Sequence, residues 1–128
     1  MAVPFRITDL DHVVLRCADL ARARHFYTAV LGCTEERRLD AIGLIQLRAG
    51  RSLIDLVPAD APPSREAPNL EHFCVAIAVE DVALVVAHLT AHAVEMIGEP
   101  MVRYGATGFG ASVYCRDPEG NVVELKCG

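Results

Sequence analysis

The stretch Arg116-Asp117-Pro118-Glu119-Gly120-Asn121-Val122-Val123-Glu124-Leu125 is the most informative segment of this 128-residue chain. Proline at the second position and glycine at the fourth position of residues 117–120 are typical of a type I turn. Strand-forming residues flank the turn at 111–116 and 121–126, so the stretch predicts a β-hairpin. The second strand places Glu124 between aliphatic residues. A buried carboxylate is costly unless it is paired or binds a cation, so Glu124 is a candidate functional residue.

The same arrangement occurs earlier in the chain. The segment Leu53-Ile54-Asp55-Leu56-Val57 also encloses one acid between aliphatic residues. Upstream of each acidic strand, an acid and a histidine open an apolar run, as Asp11-His12 in the first half and Glu71-His72 in the second. The pattern therefore indicates two copies of one structural unit.

Each copy also contains a helical segment. Asp19 can cap a helix whose apolar residues recur at helical spacing up to Leu31, and Gly32 is placed to end it. Asp81 is placed to begin a second helix that runs to about Ala91. In the first half, residues 43–48 and 52–57 predict two antiparallel strands around a turn at 49–51. The predicted order is strand, helix and several strands, twice over.

The segment between the two copies is predicted to be a linker, because residues 58–68 hold four prolines and several charges. We expect module one at about residues 8–58, the linker at about 59–69 and module two at about 70–127.

Composition narrows the class of protein. The formal net charge of -5 argues against a nucleic-acid partner, which requires a basic face. The longest uncharged apolar run, Val82–Leu89, is too short to span a bilayer. The five cysteines are odd in number and form no C-x-x-C pair, which favours a reducing compartment over a disulfide framework. We therefore expect a cytoplasmic protein with no nucleic-acid or membrane partner.

The repeated acids and histidines predict a metal site. Either histidine alone is as readily explained as a strand-edge residue that bonds a neighbour, and Asp55 alone as an exposed strand acid. Their repetition in the same structural order favours convergence on a cation. Imidazole and carboxylate ligands together suit divalent Fe, Mn, Ni, Co or Zn. The candidate metal ligands are His12, His72, Glu124 and Asp55.

Three segments together resemble the vicinal oxygen chelate superfamily, which includes glyoxalase I, fosfomycin-resistance proteins, bleomycin-resistance proteins and extradiol dioxygenases. They are residues 10–15, residues 19–32 and residues 116–125, and the resemblance extends over nearly the whole chain. It implies an α+β fold of two paired βαβββ modules that form an open, half-barrel mixed sheet around a metal site. It also implies a homodimer, in some members with modules swapped between chains.

The resemblance assigns positions to the candidate ligands. His12, His72 and Glu124 fall on the family's usual metal-ligand positions. Asp55 falls where glyoxalase I-like members carry a fourth ligand, a glutamate. Aspartate is one methylene shorter, so direct and water-mediated ligation both stay open.

The implied activity is that of a glyoxalase-like enzyme of lyase or isomerase type, which uses a divalent metal ion and a small substrate with vicinal oxygens. Glu124 would move protons as the catalytic residue. The alternatives within the fold are a dioxygenase, a fosfomycin-resistance-type transferase and a non-catalytic drug-binding protein. The absence of tryptophan and the 5% aromatic content disfavour drug binding by stacking.

Four further residues are candidate substrate contacts. Arg16 aligns with an arginine that contacts glutathione in bacterial glyoxalase I-like proteins, although residues 56–59 lack the asparagine expected there for glutathione. Arg103, Tyr104 and Tyr114 supply donors of the kind that fosfomycin-resistance proteins use. Residues 103–110 contain three glycines, which predicts either a mobile flap near the site or a turn between strands.

Overall fold

The computed structural model describes residues 4, 9–66, 68 and 70–127. The first module contains β1 (His12–Cys17), α1 (Leu20–His25), a π-helical turn (Phe26–Val30), β2 (Thr34–Leu39), a 3₁₀ turn (Asp40–Ile42), β3 (Leu44–Ala49) and β4 (Ser52–Pro58). The second module contains β5 (Phe73–Ile77), α2 (Val82–Ala91), β6 (Met96–Gly105), β7 (Gly108–Arg116) and β8 (Val122–Cys127). The βαβββ order expected from the sequence is therefore present twice.

Each module forms one open, mixed, four-stranded sheet. The strand orders are β1-β4-β3-β2 and β5-β8-β7-β6, so the two sheets have the same topology. In each sheet the first and last strands of the module run parallel, and the remaining neighbours are antiparallel hairpins. This confirms the predicted α+β class. It also places β1, which begins at His12, and β5, which begins directly after His72, at sheet edges.

Both predicted helices are present, and the first continues from an α-helix into a π-helical turn. The Asp19 side chain accepts a hydrogen bond from the Arg22 amide, as an N-cap does. After Leu20–His25 the chain continues through the π-helical turn, which buries Phe26 and Tyr27. Gly32 follows with φ +85°, a conformation that favours glycine.

The second helix packs on the same core. Asp81 accepts from the Ala83 amide, and Val85 and Leu89 are buried. The core is one continuous cluster that takes apolar residues from both sheets and both helices. In the part of the chain that the structure describes, neither helix reaches the length and apolar character needed to cross a membrane.

The predicted turn at 117–120 also joins the modules. The Glu119 carboxylate accepts hydrogen bonds from the amides of Ala18 at 2.5 Å and Asp19 at 2.8 Å. Asp117 Oδ2 accepts from the buried hydroxyl of Tyr27 at 2.6 Å. The β7–β8 turn is thereby anchored to the start and the core face of the first helix.

Of the two alternatives predicted for residues 103–110, the structure shows a turn between strands. These residues are the end of β6, a two-residue turn at 106–107 and the start of β7. The glycines provide space: a Cβ at Gly110 would lie 2.0 Å from the Cys127 carbonyl oxygen and 3.3 Å from Lys126 Nζ. A Cβ at Gly105 would lie 3.1 Å from the Lys126 side chain. The glycines therefore let the Lys126 side chain lie against the hairpin.

Candidate metal centre

The first sheet carries one predicted histidine and one predicted carboxylate. His12 begins β1, and Asp55 on β4 pairs in register with Val14, so the two side chains share a sheet face. Asp55 is buried, and its Oδ2 accepts from Gln46 Nε2 at 3.1 Å. Its Oδ1 is buried without a hydrogen-bond partner among the described residues. An orphaned carboxylate oxygen of this kind suits a cation. We call His12 and Asp55 the first half-site.

The second sheet carries the equivalent pair. His72 immediately precedes β5, and Glu124 on β8 pairs in register with Cys74 on one side and Tyr114 on the other. His72 Nε2 lies 3.2 Å from Glu124 Oε1. We call His72 and Glu124 the second half-site.

Hydrogen bonds keep Glu124 in its charged form. Burial alone would raise the pKa of this carboxyl, but hydrogen bonds from Ser112 and Tyr114 and the charge of His72 hold the pKa below its usual value. The Ser112 hydroxyl donates to Oε2 at 2.6 Å. Glu124 is therefore an ionised acceptor at neutral pH, which is the state that a metal ligand or a general base requires.

The acid that precedes each histidine orients it. His12 Nδ1 lies 2.7 Å from Asp11 Oδ1, and His72 Nδ1 lies 2.5 Å from Glu71 Oε1. The hydrogen bond from Asp11 is also the main cause that raises the pKa of His12. A carboxylate acceptor at Nδ1 fixes the proton there and leaves the Nε2 lone pair for another partner. Metal-binding histidines commonly have this outer carboxylate.

The two half-sites lie on different sheets. Among residues 4, 9–66, 68 and 70–127, no group of three or more His, Cys, Asp and Glu side chains lies close enough to hold a metal ion. His12 and His72 both line a cavity of about 1140 Å³ whose other lining residues are mostly apolar. The four donors fit a divalent ion in kind, and the described chain presents them as two separate pairs.

Two of the candidate substrate residues lie beside the second half-site. The ring of Tyr114 meets the ring of His72 edge-on, with the centroids 5.5 Å apart. Arg103 Nε donates to the Tyr114 hydroxyl at 3.3 Å. Arg16 lies elsewhere, on the exposed face of β1 that also carries His12.

Tyr104 is not brought to this group. It alternates with Arg103 along β6 and therefore lies on the opposite face of the hairpin. Its side chain packs edge-on against Phe109 at a centroid distance of 5.0 Å. It is 75% exposed, which leaves it without a place in the second half-site.

The hydrogen bonds that hold the two carboxylates, from Ser112 to Glu124 and from Gln46 to Asp55, were not predicted from the sequence, although Ser112 stood among the possible substrate donors. Both are found by applying strand alternation to the predicted hairpins. Ser112 shares a face with Tyr114 on β7, and Gln46 on β3 pairs directly with Asp55. The available signal is a side-chain hydrogen-bond donor that lies on the strand next to the carboxylate and on the same face of the sheet.

Comparison with known proteins identifies the family of this chain. The sequence profile of the Glyoxalase/Bleomycin resistance protein/Dioxygenase superfamily matches residues 9–125. A glyoxalase domain-containing protein, RDO1 of Mycosarcoma maydis, is 28% identical over 123 residues, which cover 93% of this chain and 68% of that protein.

Solved structures agree with the profile. The virulence protein STM3117 of Salmonella typhimurium superposes with a TM-score of 0.75 at 26% identity, covering 96% of this chain and 98% of that one. The fosfomycin resistance protein FosX of Listeria monocytogenes superposes with a TM-score of 0.74 at 23% identity, covering 96% and 95% of the two chains, and this likeness concerns the fold alone. The chain belongs to the glyoxalase/bleomycin resistance protein/dioxygenase superfamily.

Proposed function

We propose that this protein is a glyoxalase-like, divalent-metal-dependent enzyme of lyase or isomerase type, which acts on a small substrate through vicinal oxygens. The observation that carries the proposal is the repeated half-site. In each sheet a histidine with its Nδ1 bound to the preceding acid shares a face with a buried carboxylate. His12, His72 and Glu124 would hold the ion, and Asp55 would add a fourth ligand through its unpartnered Oδ1.

The chemistry follows from the residues of the second half-site. A divalent ion held there supplies Lewis-acid stabilisation of an enolate or oxyanion. Glu124 would accept the substrate proton, because hydrogen bonds from groups such as the Ser112 hydroxyl keep its carboxylate ionised and therefore able to take up a proton at neutral pH. The ring of Tyr114 packs against His72, and Arg103, which donates to the Tyr114 hydroxyl, would donate hydrogen bonds to substrate oxygens.

The proposal includes assembly as a homodimer. The half-sites are separate in the described chain, so a complete ligand set requires that they meet. We propose that the first half-site of one chain meets the second half-site of its partner. The edge strands β1 and β5 and the apolar cavity beside both histidines support this arrangement, because open strand edges and apolar surface are covered by association.

Metal analysis tests the proposal most directly. Protein purified without chelator is expected to carry about one equivalent of divalent metal per chain, and His72→Ala is expected to lose it. His25→Ala is the matched control, since His25 is an exposed histidine at the end of α1. Metal content that is low in the wild type, or equal in the wild type and His72→Ala, contradicts the metal site.

Activity is tested separately on metal-loaded protein. The hemithioacetal of methylglyoxal and glutathione tests the glyoxalase-like reaction, and a panel of catechols tests the dioxygenase alternative. Turnover of the hemithioacetal that is lost in Glu124→Gln supports the proposal. Full metal binding with no turnover of either substrate class favours a binding protein instead.

A further inference from the structure

A second cavity, of about 470 Å³, opens beside the second half-site. Its lining includes His72 and Tyr114 on one side and the connector residues Pro63, Ser64, Arg65, Glu66 and Pro68 on the other. The volume is within the usual range for small-molecule pockets. These residues belong to the predicted linker between the modules, which we call the connector. They form one wall of the cavity that also contains His72, a candidate metal ligand.

The connector holds Arg65 in a defined place. A Cβ at Gly120 would lie 2.7 Å from Arg65 Nε and 3.2 Å from its Cγ, so the Arg65 side chain lies directly on this glycine of the β7–β8 turn. Arg65 Nη1 is 3.6 Å from Glu95 Oε1. Gly120 has φ +90°, so the position favours glycine both for its backbone and for the space that Arg65 fills.

The cavity has an excess of guanidinium groups. Three arginines line it, Arg65, Arg103 and Arg116. Arg65 and Arg116 share one carboxylate, Glu95, at 3.6 Å and 3.5 Å. Arg103 donates to the Tyr114 hydroxyl and the Met101 sulfur, and it forms no ion pair with a carboxylate in the described chain.

Two carboxylates also line the cavity, and one of them is already engaged. Glu71 binds His72 Nδ1, which leaves Glu66 as the second acid of the lining. The three arginines of the lining carry planar guanidinium groups, which bind carboxylates through paired hydrogen bonds.

We propose that the connector supplies a specificity-determining residue: Arg65, together with Arg103, binds a carboxylate on the substrate while the vicinal oxygens of that substrate reach the second half-site. The inference rests on the proposed function for the position of the vicinal oxygens. It adds the substrate class, an anionic molecule that carries a carboxylate away from its metal-binding oxygens. Arg65 would select the substrate by binding its carboxylate, and the residues of the second half-site would contact the reacting atoms.

Two probes that differ by one group test the proposal. Catechol and 3,4-dihydroxybenzoate carry the same vicinal oxygens, and only the second carries a carboxylate. On metal-free, ¹⁵N-labelled protein, 3,4-dihydroxybenzoate is expected to shift the Arg65 and Arg103 Nε–H signals in a saturable titration, and catechol is expected to leave them in place. On zinc-loaded protein, 3,4-dihydroxybenzoate is expected to bind about tenfold more tightly than catechol, as a charge-assisted hydrogen bond at a half-exposed site allows.

The variants separate this proposal from the proposed function. Arg65→Gln is expected to reduce the tenfold preference to about twofold with catechol affinity unchanged. Arg51→Gln is the matched control, since it removes an exposed arginine whose ion pair within the described part of the chain is with Asp9, at 3.7 Å. An equal response of the arginine signals to both probes, or an undiminished preference in Arg65→Gln, overturns the inference. The arginine titration needs no metal, so it decides the role of Arg65 even where zinc binding, and with it the proposed function, fails.

Discussion

The acid next to each candidate histidine orients its imidazole ring. Asp11 and Glu71 each accept from Nδ1 of the following histidine, so both imidazoles present Nε2. The same short pattern, acid then histidine, occurs at equivalent places in two modules that share 3-dimensional topology. The orientation of the two histidines is therefore encoded in adjacent residues.

We predict that Asp11→Ala and Glu71→Ala each weaken zinc affinity by about tenfold, because the imidazole loses the carboxylate that fixes its tautomer and raises its basicity. Zinc affinity is measured by competition with a chelating dye. Imidazole ¹⁵N chemical shifts of the metal-free protein report the tautomer directly.

Asp9→Ala is the control for this prediction, since it removes a nearby negative charge that contacts Arg51 and neither histidine. Asp11→Asn keeps an acceptor for Nδ1 and is expected to fall between the wild type and Asp11→Ala. A wild-type histidine that carries its only proton on Nε2, with Nδ1 unprotonated, would contradict the role assigned to the acids.

At the scale of elements, the β7–β8 turn is the joint between the modules. Its two carboxylates, Asp117 and Glu119, are buried and receive donors from the other module. A turn that only reversed the chain would leave these acids in solvent. The turn therefore holds β8, and with it Glu124, in a fixed relation to the first module.

We predict that Tyr27→Phe lowers the free energy of unfolding by about 2 kcal/mol, because it removes a buried hydrogen bond to a carboxylate. The Tyr27 hydroxyl donates to Asp117 Oδ2 at 2.6 Å, and the Tyr27 side chain is fully buried. Urea denaturation followed by circular dichroism measures the change.

Tyr104→Phe removes the same hydroxyl from a tyrosine that is 75% exposed, and it is expected to leave stability within about 0.5 kcal/mol of the wild type. Equal effects of the two substitutions would show that the contact with Asp117 does not join the modules.

The elements also show which parts of the fold the sequence could predict. The helices were predicted from Asp19 and Asp81, which cap them, and the hairpins from turn residues between alternating strands. Strand β2 gave no such signal, because residues 35–38 are all charged and are held by ion pairs across the sheet and to the helix, such as Arg48 with Glu36 and Arg24 with Glu35. Stabilisation by partners distant in sequence does not produce a local period.

The candidate site likewise contains some residues that the sequence predicts and others that it does not. His12, His72, Asp55 and Glu124 are predicted as donors because the same acid–histidine pair and the same enclosed acid occur in both halves of the sequence. The roles of Ser112 and Arg65 are not predicted, since they depend on register and on the path of the connector. The sequence therefore predicts the candidate metal-donor residues, and the structure shows which residues surround them.

At the scale of the whole molecule, the equal topology of the two sheets explains why the donors come in pairs. Each module contributes one histidine and one carboxylate, and neither pair is a complete ligand set. Exposed apolar side chains lie beside both histidines, with Leu10 at 84% exposure and Leu70 at 46% in the lining of the large cavity. A second chain that covers this surface would also bring the complementary half-site.

We predict that inactive chains complement one another if sites are shared between chains. His12→Ala lacks a ligand of the first half-site, and His72→Ala lacks a ligand of the second. In a mixed dimer, one site lacks both ligands and the other is intact. An equimolar, co-refolded mixture is therefore expected to bind zinc tightly at about a quarter of the wild-type capacity, because half of the dimers are mixed and each has one good site.

Zinc titration of the mixture and of each variant alone measures this capacity, and light scattering after size exclusion establishes the dimer. The variant His12→Ala/His72→Ala mixed with wild type is the control, since its mixed dimer has no site with a full set of ligands when sites are shared. With shared sites the control mixture keeps only the quarter of the wild-type capacity that its wild-type homodimers supply. Tight sites built within one chain would instead leave that control with half of the wild-type capacity, and the complementation mixture would bind no better than either variant alone.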